Sequence, residues 1–512
     1  MVLSIDLRQK LYRSRHVLFL IALVGIAAAV RAVFLFKDSF ATGFDGYYYA
    51  LQVRSLMEQG RILNADTSIV YRILRLFGIF SRDIVLSNKI AVIILCSSGV
   101  LPLYLTLYGL TGRGTVSFLG ALVFTLSFSQ IYMSFEIIKN GIGLVFLLWS
   151  VYFLLRWNKG AVNIGAAAGF GLLALLTHKV TGGIAVLFFL LRFGMWVWDY
   201  SRENVKRRRI LLTGTALGAA GLIGLFLFMP LPLRLMDLAR LFTNQSPGAL
   251  SDRFSLLLFH VSNPRIQIEL ILLHSIPLCF LPLLIVMLRD ASIGRNIKRF
   301  LVCLIAIQAV LLYPFLEFTW VAISYRFLLC SSLIAVLELG LIMDYFIRKY
   351  RRPPLGIVPR IAAALFTVLF LLGLPGMYDR FHFNRYPDYK TLYPAVMKIP
   401  SLVNTDNRLI AYFGLSYFIW YSTGIYTQHF VAEKQIDRYV RVSYGIGPVH
   451  LKPYIKDPRT EFAIELKAPY YLVSETVWQR YYRANSRRLK LLHSWMNPYE
   501  SRPDFVYYYR QF

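Results

Sequence analysis

Long apolar runs alternate with short basic or polar breaks over the first three quarters of the chain. The first run, 16–36, follows a basic start carrying Arg8, Lys10, Arg13 and Arg15. Its length meets the ~18 apolar residues that mark a spanning helix. No small-residue cleavage site follows, so it reads as a retained span rather than a removed signal peptide. Similar runs predict spans at 84–107, 115–133, 142–155, 161–176, 184–198, 210–229, 268–288, 300–316, 328–347 and 357–374. The basic breaks 199–209, 289–299 and 348–354 all fall on one side when spans are counted from an inner N-terminus, as the positive-inside pattern requires. The pattern predicts an α-helical polytopic membrane protein of about eleven spans, followed by an outer tail.

Between the spans the periodicity changes. In the first outer loop, 37–84, GFDGYYYALQVRSLMEQGRI (43–62) places Tyr49, Val53 and Leu56 on one helical face and Arg54, Glu58 and Gln59 largely on others. IVYRILRLFGIF (69–80) reads as a second interfacial helix, and PLRLMDLARLF within the outer segment 230–267 as a third. In the tail, 376–512, NRLIAYFG (407–414) and APYYLVSE (468–475) are β-like, VWQRYYRANSRRLKLL reads as a basic helix and DFVYYYR as a strand. A small extracytoplasmic α/β domain is expected there, after a membrane domain over 1–375.

Composition agrees and narrows the partners. The chain is 57% hydrophobic, with mean hydropathy +0.53, too apolar for a soluble protein of 512 residues. Net charge is +29, from 56 Lys and Arg against 27 acids. Part of that excess is topological; the rest fits lipid phosphates, phosphorylated carriers or acidic glycans. The cations are dispersed among membrane loops, which argues against nucleic acid. Cys96, Cys279, Cys303 and Cys330 all lie in predicted spans, with no CxxC pair, so neither a disulfide nor a cysteine metal site is expected.

Four outer features carry candidate chemistry: Asp45 with Tyr48 behind it, the Glu136-Lys139-Asn140 cluster, the His178-Lys179 pair, and the turn 318–327 with Glu317 before it and Arg326 near its end. Asp45 is open to two readings, a base beside the bilayer or an ordinary loop acid in an aromatic belt. On a continuous helix Glu136, Lys139 and Asn140 would share a face, as a site or as a local ion pair. Arg326 and Arg31 either snorkel to the interface or meet an anionic head group. Together the four features make an outward cavity with an acid to deprotonate a hydroxyl and cations to take a phosphate leaving group. No phosphate-binding glycine loop, nucleophile elbow or HExxH motif occurs.

RAVFLF followed by FDGYYYALQVRSLMEQGRI, then FEIIKNGIGLVFLLWSVYFLLRW, LLTHKVTGG and SYRF resemble, in order and on the expected side, the GT-C superfamily of integral membrane glycosyltransferases. That group includes oligosaccharyltransferases, protein O-mannosyltransferases and aminoarabinose transferases. The resemblance implies sugar transfer on the outer face of the cytoplasmic membrane. The donor would be a polyprenyl-phosphate sugar and the acceptor a cell-envelope glycan, lipid or protein. It implies Asp45 as catalytic base, Glu136 as a second acid assisting it or helping to hold a divalent ion (Mg or Mn), and Lys139, Lys179 and Arg326 as ligands of the carrier phosphate. Two departures stand out. The second outer loop holds one acid where oligosaccharyltransferases carry an acidic pair, which puts metal dependence in question. Their WWDYG motif is missing from the tail, which disfavours transfer to protein sequons. An oligosaccharyltransferase and a non-enzymatic lipid or glycan transporter remain the alternatives.

Overall fold

The computed structural model describes residues 5–43, 45–63, 66–79, 81–202, 280–317, 321–349, 389–403, 409–412, 415–430, 444–448, 464–465 and 470–474. The first half is helical: α1 (Ile5–Leu35), α2 (Gly46–Glu58), α3 (Val70–Gly78), α4 (Ile84–Ser98), α5 (Val100–Thr111), α6 (Gly114–Leu126), α7 (Phe128–Phe135), α8 (Ile138–Leu155), α9 (Ala161–Thr177) and α10 (Lys179–Arg202). Then follow α11 (Leu281–Arg289), α12 (Arg295–Glu317) and α13 (Val321–Lys349). Among the described residues five helices are long and apolar enough to cross a membrane, or six if α6 and α7, bent by 49°, form one span. The protein is an integral membrane protein by this measure. The predicted spans at 210–229 and 357–374, the interfacial segment within 230–267 and most of 268–288 lie outside the described residues.

Local chemistry sets the breaks. Asp83 caps α4, its carboxylate accepting from the Leu86 N–H at 3.1 Å. Gly112, at φ 67°, ends α5 in the left-handed conformation that spares glycine a Cβ clash. The hairpin of α9 and α10 is tight because Gly182 presents no side chain: a Cβ there would run into the Cα and side chain of Leu175. Small residues at such crossings let helices approach closely. Around this hairpin α8 packs against α9, α10, α4 and α5, and α13 against α5, α6 and α12.

The loop after α1 folds as its periodicity predicts. Tyr49, Val53 and Leu56 of α2 are buried, as are Val70, Tyr71 and Leu74 of α3, while Arg72 and Arg75 stay exposed. Lys89 of α4 donates to the Asp38 carbonyl at 2.6 Å and pins the start of the loop. After it, α14 (Tyr389–Val396), α15 (Ile399–Leu402) and α16 (Leu415–Thr423) accompany a five-stranded sheet. Its strands are β1 (Leu409–Tyr412), β2 (Thr427–Phe430), β3 (Tyr444–Pro448), β4 (Ile464–Glu465) and β5 (Tyr470–Ser474), in the order β2-β1-β3-β5-β4. β1 pairs parallel with β2 and β3, and β5 antiparallel with β3 and β4. β1 and β5 coincide with the two β-like runs; the expected helix 477–492 and strand 504–510 lie outside the described residues. α2 docks on α16: Arg54 donates to the Tyr421 carbonyl at 2.9 Å and stacks 3.8 Å from its ring.

Three expectations change. Arg31 does not snorkel. It is 2% exposed and donates to Ser134 Oγ at 2.9 Å and to the Ala27 carbonyl at 3.1 Å, because α1 turns this position toward α7. The stretch 134–141 is a break rather than a loop: α7 runs to Phe135 and α8 restarts at Ile138. The 318–327 turn is helical from Val321, which puts Arg326 in the second turn of α13.

Replacing Gly182 by Ala should force α9 and α10 apart and lower stability by about 1–3 kcal/mol. Thermal unfolding in detergent checks this, and an unchanged midpoint would show that the hairpin yields at no cost.

Candidate active site

Asp45 stands at the N-cap of α2, a position where aspartate ordinarily accepts a backbone N–H. Here it is in the αR region and makes no capping bond. Among the described residues no hydrogen bond or ion pair reaches its half-buried carboxylate. Burial pushes that carboxyl above the usual carboxylate range; Arg326 and Lys139 pull it down without cancelling the push, and Asp66 adds to it. An unengaged acid with raised proton affinity is suited to take a proton.

Asp66 is the opposite case, and sequence reasoning missed it. Its Oδ2 accepts from Tyr71 OH at 2.6 Å and Tyr48 OH at 3.1 Å and pairs with Lys139 Nζ; its Oδ1 accepts from the Ser68 N–H at 3.3 Å. Burial raises this carboxyl, but Lys139 and the hydrogen bonds from Lys139, Tyr71 and Ser68 outweigh it and leave it below the ordinary range. Its partners come from residues 48, 71 and 139, so no local motif announces it. The only nearby signal is the Asp-x-Ser spacing of an Asx turn.

Lys139 lies 5.1, 5.7 and 5.9 Å from the rings of Tyr71, Tyr48 and Tyr49. It does not sit with Glu136 on one helical face, because the helix breaks between them. Glu136, 8% exposed, ends α7 with its carboxylate against Gly43. Gly43 is at φ 71°, and a Cβ there would also come within 2.9 Å of the Phe135 carbonyl. Glu136 therefore abuts the loop backbone two residues before Asp45. Asn140 is buried in the first turn of α8. Glu317 is the last residue of α12.

His178 joins α9 to α10. Its Nδ1 is 3.2 Å from the Val180 N–H, and its Nε2 is 3.3 Å from Arg326 Nη1. Burial, then Arg326, Lys139 and Lys179, hold its pKa well below the ordinary value, so the imidazole is neutral. A neutral imidazole has one acceptor nitrogen. Both ring nitrogens face a donor, the Val180 N–H at Nδ1 and the Arg326 guanidinium at Nε2, and a neutral ring accepts from only one of them; the tautomer protonated at Nε2 would present Nε2–H beside Arg326 as two donors for an anion. Lys179, half-buried, opens α10 beside them. Ser68 Oγ donates to the Thr177 carbonyl at 2.7 Å and the Ile69 N–H to the Leu176 carbonyl at 3.1 Å, tying the outer loop to this corner. The structure thus brings Asp45, Tyr48, Lys139, His178 and Arg326 into one electrostatic neighbourhood. Among the described residues no group of three His, Cys, Asp or Glu side chains converges as a metal ligand set.

No family model and no curated protein matches the chain. Solved structures do. ArnT from Cupriavidus metallidurans bound to undecaprenyl phosphate aligns with TM-score 0.55 and 10% identity over 89% of this chain and 97% of that one. Its apo state aligns with TM-score 0.50 at 12% identity over the same shares. The archaeal oligosaccharyltransferase AglB from Archaeoglobus fulgidus, in complex with an inhibitory peptide and a dolichol-phosphate, aligns with TM-score 0.50 and 12% identity over 86% of this chain and 70% of that one. The chain shares the fold of these proteins.

Asp66→Asn should cost about 1–3 kcal/mol by leaving Lys139 without its carboxylate. Combined with Lys139→Met the losses should not add; additive losses in thermal unfolding would separate the two residues. Because the folded Asp66 pKa is lowered, its contribution is full above the unfolded value of about 3.9. It is lost as pH falls through the folded value.

Proposed function

We propose that the protein is a glycosyltransferase that moves a sugar from a polyprenyl-phosphate donor to an acceptor hydroxyl at the outer face of the cytoplasmic membrane. The observation that carries this reading is the Asp45 carboxylate, desolvated and without a hydrogen-bond donor among the described residues, under the influence of the Arg326 cation. The shared fold with ArnT and AglB, in structures that hold undecaprenyl phosphate and dolichol-phosphate, supports it. We favour a cell-envelope glycan or lipid as acceptor.

In this mechanism the carrier phosphate lies between Arg326 and the His178 Nε2–H, with Lys179 close by. The acceptor oxygen attacks the anomeric carbon as its proton passes to Asp45. The bond from that carbon to the phosphate oxygen breaks, and its electron pair leaves on the carrier phosphate. Direct displacement inverts the anomeric centre. Arg326 and His178 meet the charge that develops on the leaving group. Asp66 and Lys139 hold the tyrosine wall and the outer loop in place, and Glu136 shapes the loop at Gly43. No step is routed through a divalent ion.

Asp45→Asn should lower turnover by about 10²–10⁴-fold while polyprenyl-phosphate sugar still binds. Mass spectrometry of bound lipid and released carrier phosphate reads both, and wild-type turnover in this variant would remove the catalytic role. Arg326→Ala should raise the donor KM. It should also move the acidic limb of kcat/KM to higher pH, because a cation that lowers the Asp45 pKa is gone. An unshifted limb would disconnect the two residues. Binding of no carrier at all would favour a transporter.

A further inference from the structure

A second concave site lies toward the other end of α10. Met195 is about 24 Å along the helix from Lys179 at the usual rise per residue. There α10, α11 and the start of α12 line an open groove of about 660 Å³ with Leu190, Met195, Leu288 and Val302 in its apolar wall. Leu190 and Val302 are 49% and 40% exposed. Arg295, Lys298 and Arg299 line the same groove.

Those cations follow the i, i+3, i+4 spacing and so share one face of α12. They occupy the first turns of a helix, where the macrodipole disfavours positive charge, and no acid stands in its first turn. Asp290, which precedes the helix, accepts from the Ser292 N–H and hydroxyl at 2.8 and 2.7 Å and from Tyr345 OH at 2.9 Å. The cationic turn is also braced. Arg192 Nη2 donates to Asn158 Oδ1, and Asn158 Nδ2 to Asn296 Oδ1, each at 3.2 Å. An apolar groove with a fixed basic rim, at the end of the bundle that the positive-inside pattern places inward, complements a molecule with an anionic phosphate head and acyl chains.

We propose that this groove binds an anionic phospholipid of the inner leaflet, with its phosphodiester on Arg295, Lys298 and Arg299 and an acyl chain along α10. The site is separate from the outer one and needs only that the chain spans the membrane, so it stands whether or not the outer site transfers sugar.

The test is native mass spectrometry of delipidated full-length protein titrated with phosphatidylglycerol or with phosphatidylcholine of the same chains. Wild type should retain phosphatidylglycerol about tenfold better, and Arg295→Gln with Lys298→Gln should remove most of that preference. Gly194→Leu is the second variant. Gly194 lines the groove, and a Cβ on it meets nothing within 4 Å, so leucine fills the groove without disturbing the fold and should reduce retention of both lipids. Equal retention of the two lipids by wild type, or wild-type phosphatidylglycerol retention in both variants, would overturn the proposal. So would competition by inorganic phosphate alone, which would make the site one for free anion.

Discussion

The ion pair between Lys139 and Asp66 is the contact that organises the candidate site. A half-buried ammonium and carboxylate must find each other or pay desolvation alone. Here they close a loop of more than seventy residues, joining the first outer segment to the first turn of α8. Two tyrosine hydroxyls complete the shell of the carboxylate, and three tyrosine rings surround the ammonium. Once Asp66 is satisfied in this way, the backbone that follows it can be held by the end of α9, through Ser68 and Ile69. His178 is the next residue after that end, so the same contact registers the outer loop against the His178-Arg326 pair.

With Asp66 neutralised by Lys139, Asp45 keeps only part of the attraction of two cations. The proximity of Asp66 opposes its ionisation, and burial opposes it further. Two aspartates of the same loop are thus driven apart in proton affinity by their surroundings, one saturated with donors and one without any among the described residues. This is the pattern by which enzymes give two carboxyl groups different roles. Gly43 contributes through its backbone: its positive φ and lack of a side chain let Glu136 close against the chain just before Asp45.

What the sequence made legible follows from period and position. The apolar faces of α2 and α3 and strands β1 and β5 all rest on periodicities that one segment carries by itself, and tertiary packing did not override them. Asp45, His178 and Arg326 were singled out because each stands where a predicted span meets a polar break. Asp66 was not, because its significance comes from partners on three other stretches. The shared face expected for Glu136 and Lys139 failed for a related reason. A spacing argument assumes an unbroken helix, and the chain breaks at Glu136 and Ile137 to turn the carboxylate toward Gly43. Arg31 was misplaced because hydrophobicity alone does not say which side of a span faces protein; contact with Ser134 of α7 decides it.

The same electrostatics can be followed along α10. At its start, Arg326 and Lys179 gather where the helix terminus already favours an anion. At its far end, cations gather at the start of α12, where the helix field again favours an anion over a cation. Both clusters place positive charge where the backbone alone would repel it. Apolar side chains line the groove beside the α12 cluster and limit how fully water reaches its cations.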